Sequence, residues 1–60
     1  MSNLVLGRKF NESIMLKDPK SGNLVKVTVV KILGDQVRLS IDAPRSVQVD
    51  RLEIYNMKNV

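Results

Sequence analysis

Polar and apolar positions alternate along much of this chain with a period of two. Between Leu24 and Leu33, Val25, Val27 and Val29 fall on one side and Lys26 and Thr28 on the other, the pattern of a strand with one buried face. The phase blurs at Val30-Lys31-Ile32, which predicts a bulge or a strong twist. Gly34-Asp35 is a turn, and Gln36–Asp42 alternates again. There Val37, Leu39 and Ile41 face inward, and Gln36, Arg38, Ser40 and Asp42 outward, as in a half-buried antiparallel strand. Shorter runs predict three more strands: residues 4–10, opening on Leu4-Val5-Leu6; residues 13–16; and residues 47–49. Asn11-Glu12 is a turn signal between the first two. Asp18-Pro19-Lys20-Ser21-Gly22-Asn23 collects nearly every turn-forming residue type and predicts a loop looser than a two-residue hairpin. Ala43-Pro44-Arg45-Ser46 interrupts the strand before the last, because proline lacks a ladder donor.

The tail changes period. Asp50 is placed to cap a helix, with Glu53 three residues on to answer the cap. Ile54 and Met57 then share a helical face, and Lys58 suits the C-terminal end of the helix dipole. So short a helix does not persist alone and has to dock on the sheet or on another chain. The expected fold is therefore all-β with a short C-terminal helix, five strands per chain. A closed or nearly closed antiparallel barrel protects so many short edges. The pattern leaves open whether closure occurs within one chain or between two.

Length sharpens this picture. Sixty residues make a single domain, residues 1–60, and a monomer of that size buries only about 60% of its unfolded surface. No cysteine is available for a disulfide, and without His or Cys the usual zinc ligand sets cannot be assembled. A second copy of the chain is the remaining source of core, so a homodimer is expected. Met1-Ser2-Asn3 shows no basic region ahead of an apolar stretch, and no apolar run approaches the roughly 18 residues of a membrane span. The expected location is the cytoplasm, with no membrane partner.

Ten Lys and Arg against six Asp and Glu give a formal charge of +4, which favours a polyanionic partner. Catalysis is not expected, because the common nucleophile–base pairs need His or Cys. No phosphate-binding glycine loop and no metal motif is present, and no cofactor is expected. The informative residues are the cations Arg8, Lys9, Arg38, Arg45 and Arg51. An arginine grips a phosphate or a base edge through its fork of donors; the alternative for each is a solvated face or a surface ion pair. Phe10 and Tyr55 are the only aromatics, which argues against base stacking on paired aromatic side chains. The short helix carries little to place in a DNA major groove.

Three segments resemble one known family. Leu4-Val5-Leu6-Gly7-Arg8-Lys9 with Glu12-Ser13-Ile14 resembles the opening of the carbon storage regulator family. Gly34-Asp35-Gln36-Val37-Arg38-Leu39-Ser40-Ile41-Asp42-Ala43-Pro44-Arg45 resembles its central signature, and Val47-Gln48-Val49-Asp50-Arg51-Leu52-Glu53-Ile54-Tyr55 its last strand and helix start. The likeness spans nearly the whole chain. It implies a bacterial post-transcriptional regulator that binds GGA-containing loops in mRNA leaders, represses translation and alters message stability. It also implies small RNAs that sequester the protein and an antagonist of the flagellar assembly factor type. The implied fold is an intertwined homodimeric β-barrel or sandwich of five-stranded chains. Its two RNA surfaces each combine the first strand of one chain with the last strand of the other.

Carried onto this chain, the resemblance assigns RNA contacts to Leu6, Gly7, Arg8 and Lys9, to Ala43, Pro44 and Arg45, and to Val49 and Arg51, with Arg51 ranked first and Arg38 in support. Several positions depart from the usual pattern. Gly7 replaces a common Thr, Asn11 stands where Gly is usual, the loop at residues 18–23 is longer, Asp50 stands where His is frequent, and Leu52 replaces a common Glu. Asn tolerates a positive φ, so the turn at Asn11 is expected to survive. Asp50 sets a negative charge beside the RNA-facing strand. It keeps open a second reading, a protein-interaction module of the same fold that modulates related dimers or binds a protein antagonist.

Overall fold

The computed structural model describes residues 2–58. Three strands follow one another in sequence and in space: β1 (Ser13–Lys17), β2 (Leu24–Leu33) and β3 (Gln36–Asp42), paired antiparallel in the order β1-β2-β3. A seven-residue helix, α1 (Leu52–Lys58), ends the described chain.

The register explains the blurred phase in β2. Val27 pairs with Ile14 and Ile41, Val29 with Leu39, and Ile32 with Val37. The register shifts between Val29 and Lys31, so Val30 is the extra residue of a bulge. Without it Ile32 would turn to the polar side; with it, Val25, Val27, Val29 and Ile32 share one face with Ile14, Leu16, Val37, Leu39 and Ile41. The opposite face carries Ser13, Thr28 and Ser40, and the Ser13 and Thr28 hydroxyls share a hydrogen bond of 2.7 Å.

Each connection follows from its turn chemistry. Gly34 has φ +54° and Asp35 does not have a positive φ, the type II′ pattern of a two-residue hairpin. In the loop after β1, the Asp18 carboxylate accepts from the Lys20 amide at 3.0 Å and from the Ser21 hydroxyl at 3.0 Å, and Gly22 adopts φ +75°. These bonds, the Lys20 amide first, hold the Asp18 carboxyl below its ordinary value of 3.8. Asn11 has φ +67°, as its place in the turn led us to expect.

Two expectations fail. Five strands were expected, yet the described residues form three, and the sheet is open rather than closed into a barrel. The predicted strands at residues 4–10 and 47–49 have no ladder. The local geometry gives the reason. Asn11 donates to the Val29 carbonyl at 2.7 Å and Val29 donates to Glu12 at 3.1 Å, so the chain is still on β2 at residues 11 and 12. The turn closed by Glu12 N–H on the Lys9 carbonyl (3.0 Å), with Asn11 left-handed, then swings the preceding residues off the sheet. At the other end, Val47 donates to the Pro44 carbonyl at 2.9 Å, and this turn takes the chain away from β3.

The expected cap at Asp50 also differs. The Arg51 carbonyl accepts from the Ile54 and Tyr55 amides at 3.1 and 3.0 Å, so Arg51 holds the N-cap position. Glu53 pairs with Arg51 rather than answering a cap. Ile54 is half-buried, Met57 is exposed, and α1 packs against none of the three strands.

Among the described residues the only buried apolar side chain is Val29. The chain exposes 5742 Å², against about 4,000 Å² for a compact monomer of 6.8 kDa. Much of that excess is apolar, including Leu4, Val5, Phe10, Val37, Leu39 and Ile41. No helix among the described residues is long and apolar enough to cross a membrane.

Candidate nucleic-acid interface

The cations singled out from the sequence fall into three groups along the chain: before the Asn11 turn, on and after β3, and at the start of α1. The first lies just before the Asn11 turn. Arg8 donates through Nε to the Gly7 carbonyl at 2.8 Å and through a terminal nitrogen to the Ser13 carbonyl at 3.3 Å, and its guanidinium lies 3.8 Å from Glu12 Oε1. The same Glu12 oxygen accepts the Lys9 amide at 2.7 Å. Glu12 thus anchors the backbone at Lys9 and turns Arg8 back over the turn. The Lys9 side chain makes no hydrogen bond or ion pair with a described residue, and Leu6 is half exposed. Around Gly7 a Cβ would meet nothing within 4 Å.

The second group follows β3. Ala43 and Pro44 are half-buried and Arg45 is exposed on the turn closed by Val47. The Asn23 side chain donates to the Ser46 hydroxyl at 3.2 Å, tying the end of the residue 18–23 loop to this turn. Arg45 itself has no partner among the described residues. Arg38, on the polar face of β3, is equally free and sits directly across from Lys31. Like charges opposed in a sheet are mildly destabilising, and an anion on that face relieves the repulsion. Sequence reading overlooked Lys31; the bulge at Val30 is what turns it onto the side of Arg38.

The third group is Val49 and Arg51, before and at the start of α1. Arg51 is 77% exposed, with its Nε 3.4 Å from Glu53 Oε1. The acidic neighbour feared at Asp50 is engaged elsewhere. Its carboxylate accepts from Gln48 Nε2 at 2.8 Å and from Lys58 Nζ at 3.2 Å. Gln48, Asp50, Leu52 and Tyr55 line a shallow cleft.

Within one chain these groups stay separate. No hydrogen bond or ion pair among the described residues joins Leu6, Gly7, Arg8 or Lys9 to Val49 or Arg51. No cluster of three or more carboxylate, His or Cys side chains is placed to hold a metal ion among the described residues. What the arrangement offers is exposed guanidinium and ammonium groups on ordered turns, next to half-exposed aliphatic side chains and free backbone groups. That chemistry suits an unpaired polynucleotide loop.

The model of the global regulator protein family CsrA matches residues 3–59. A protein named translational regulator CsrA from Lachnoclostridium phytofermentans is 52% identical over 52 residues, covering 87% of this chain and 65% of that protein. Its namesake from Rhodopirellula baltica is 51% identical over 53 residues, 88% of this chain and 69% of that protein. The one from Bacillus subtilis is 46% identical over 52 residues, 87% and 64%. The chain thus spans about two thirds, and in some cases slightly less, of the length of the relatives it matches. A family match over residues 3–59 and identities of 46–52% place the chain in the CsrA global regulator protein family.

Proposed function

We propose that this chain is an RNA-binding post-transcriptional regulator that binds GGA-containing loops in mRNA leaders, represses translation and alters message stability. The observation that carries the reading is the family match over residues 3–59, joined to relatives named as translational regulators. The geometry supports it. Arg45, Arg38 and the Lys9 side chain have no partner among the described residues, and Arg51 is held only by an exposed pair. The binding residues in this reading are Leu6, Gly7, Arg8, Lys9, Arg38, Ala43, Pro44, Arg45, Val49 and Arg51. The protein acts as one domain in the cytoplasm, without catalysis. Small RNAs with several GGA loops compete for it, and an antagonist of the flagellar assembly factor type acts on its surface.

The working form in this reading is a homodimer. The chain's surplus of about 1,700 Å² over a compact monomer, much of it apolar, is close to what each partner gives to a large, stable interface. A second copy also supplies what one chain does not join, the first basic group of one protomer beside the last of its partner. The same apolar surplus is what a protein-interaction module would show. The deciding experiment measures binding of the purified protein to a short hairpin with GGA in its loop and to one with that triplet changed. Tight binding to the first alone supports the RNA reading. Equal or absent binding to both refutes it and leaves the protein-interaction module.

A further inference from the structure

Asp50 is the feature least suited to an RNA surface, and its surroundings carry the inference. It precedes Arg51, where an uncompensated carboxylate would repel phosphate. Yet its side chain is only 16% exposed, and both oxygens are used: Oδ2 by Gln48 Nε2 at 2.8 Å, Oδ1 by Lys58 Nζ at 3.2 Å. Lys58 stands in the last turn of α1, about 10 Å of helix from the first residue, and its side chain reaches back to the segment before the helix. α1 packs against none of the strands, and this contact ties its last turn to Asp50. The Gln48 and Asp50 side chains are bonded to each other, while Val49 is 48% exposed and Arg51 is exposed.

We propose that Lys58 is a positioning residue for RNA binding: it neutralises Asp50 and clasps α1 to residues 48–50, so that Arg51 is presented to the anion rather than drawn onto Asp50. The proposal rests on the RNA reading above. Without the clasp, the Asp50 charge is released beside Arg51, where it repels phosphate and competes for the guanidinium. Lys58 need not touch RNA at all. This separates the clasp from a simple phosphate contact.

The test compares Lys58→Met, Lys58→Arg, Asp50→Asn/Lys58→Met and Asp35→Asn/Lys58→Met on the GGA hairpin across a salt series. Lys58→Met should lose roughly three- to tenfold in affinity at low salt, the size of one unscreened charge several ångströms from a phosphate. The loss should shrink as salt rises. Lys58→Arg should bind as the parent does, and removing the Asp50 charge in the double variant should restore affinity to within about twofold. Asp35, in the β2–β3 turn, restores the same net charge elsewhere, so its double variant should remain weak. Rescue by Asp35→Asn equal to that by Asp50→Asn would show that only net charge matters, overturning the clasp. Failure of Asp50→Asn to rescue would overturn it in favour of a direct Lys58 contact, and parental binding by Lys58→Met would overturn it with no role for Lys58 in binding. A parent that does not prefer the GGA hairpin takes down the RNA reading and this inference together. A parent with that preference and an unaffected Lys58→Met takes down the inference alone.

Discussion

Replacing Arg51 with alanine is expected to separate binding from folding. The side chain is 77% exposed, and its partner among the described residues is the Glu53 carboxylate, 66% exposed, at 3.4 Å. Exposed pairs of this kind contribute between nothing and about 1 kcal/mol. The structural service of Arg51 comes from its backbone carbonyl, which accepts the Ile54 and Tyr55 amides and survives the substitution. The urea midpoint should therefore move little. The guanidinium, by contrast, is free to exchange Glu53 for a phosphate or a base edge. A charge-assisted contact of that kind is worth about 2 kcal/mol, a roughly thirtyfold loss in affinity when removed. Arg51→Lys should fall between parent and Ala, keeping the charge and losing the fork. Affinity for the GGA hairpin and the urea midpoint are read on the same preparations. If Arg51→Ala binds as tightly as the parent, the Glu53 pair is all that Arg51 does and the site assignment is wrong. If binding and stability collapse together, Arg51 is structural and the RNA surface lies elsewhere.

The remaining predictions follow from single features. At micromolar concentration, sedimentation should give twice the 6.8 kDa of one chain; a monomer across that range would sink the homodimer. RNA affinity should fall with salt at a log–log slope of about −0.7 per phosphate contact on single strands, and a flat response would exclude Arg8, Lys9, Arg45 and Arg51 as backbone contacts. Gly7→Thr should fold normally, because the added Cβ meets nothing within 4 Å. It should bind the hairpin up to about fivefold more tightly if its hydroxyl gains one net hydrogen bond; weaker binding would show that Gly7 is needed as glycine. The Asp18 carboxyl is depressed in the fold by the Lys20 amide and the Ser21 hydroxyl, so its contribution is present above pH 3.8 and lost as pH falls below that value through the folded one. Protection of the Lys20 amide, read as its exchange rate relative to an unstructured chain at the same pH, should fall over that acid window in the parent and be already lost at neutral pH in Asp18→Ala.

Some of this molecule could be read from local pattern, and the parts that could not have a common physical cause. Leu24–Leu33 and Gln36–Asp42 have the bounds expected of them, and the blurred phase at Val30 is a real bulge. In these segments alternation carries both the element and its face, because the two residue types must part to opposite sides of the sheet. Leu4-Val5-Leu6 has no alternation. It carries a propensity to be extended but no face, and a strand exists only where a neighbour completes its ladder. Asn11 and Pro44, each recognised as a local signal, proved to be the points at which the chain leaves the sheet. The direction in which a turn sends the chain is a property of three dimensions.

The site follows the same division. The Arg51–Glu53 pair is an instance of the surface ion pair that the sequence leaves as the alternative to RNA contact, since two residues around a helix start are near neighbours whatever the fold. The Asp50–Lys58 pair is not legible in the sequence, although both residues are singled out, one as a cap and the other as a dipole partner. Eight residues exceed the three- or four-residue spacing at which helix side chains meet. The two touch because Asp50 lies outside the helix, within reach of the long Lys58 side chain. The error about the cap and the missed ion pair are therefore one event. With the Arg51 carbonyl at the N-cap, Asp50 falls one residue short of the helix, where its carboxylate is available to a cation from the far end. The carboxylate at this departure from the family pattern is thereby paired within the chain.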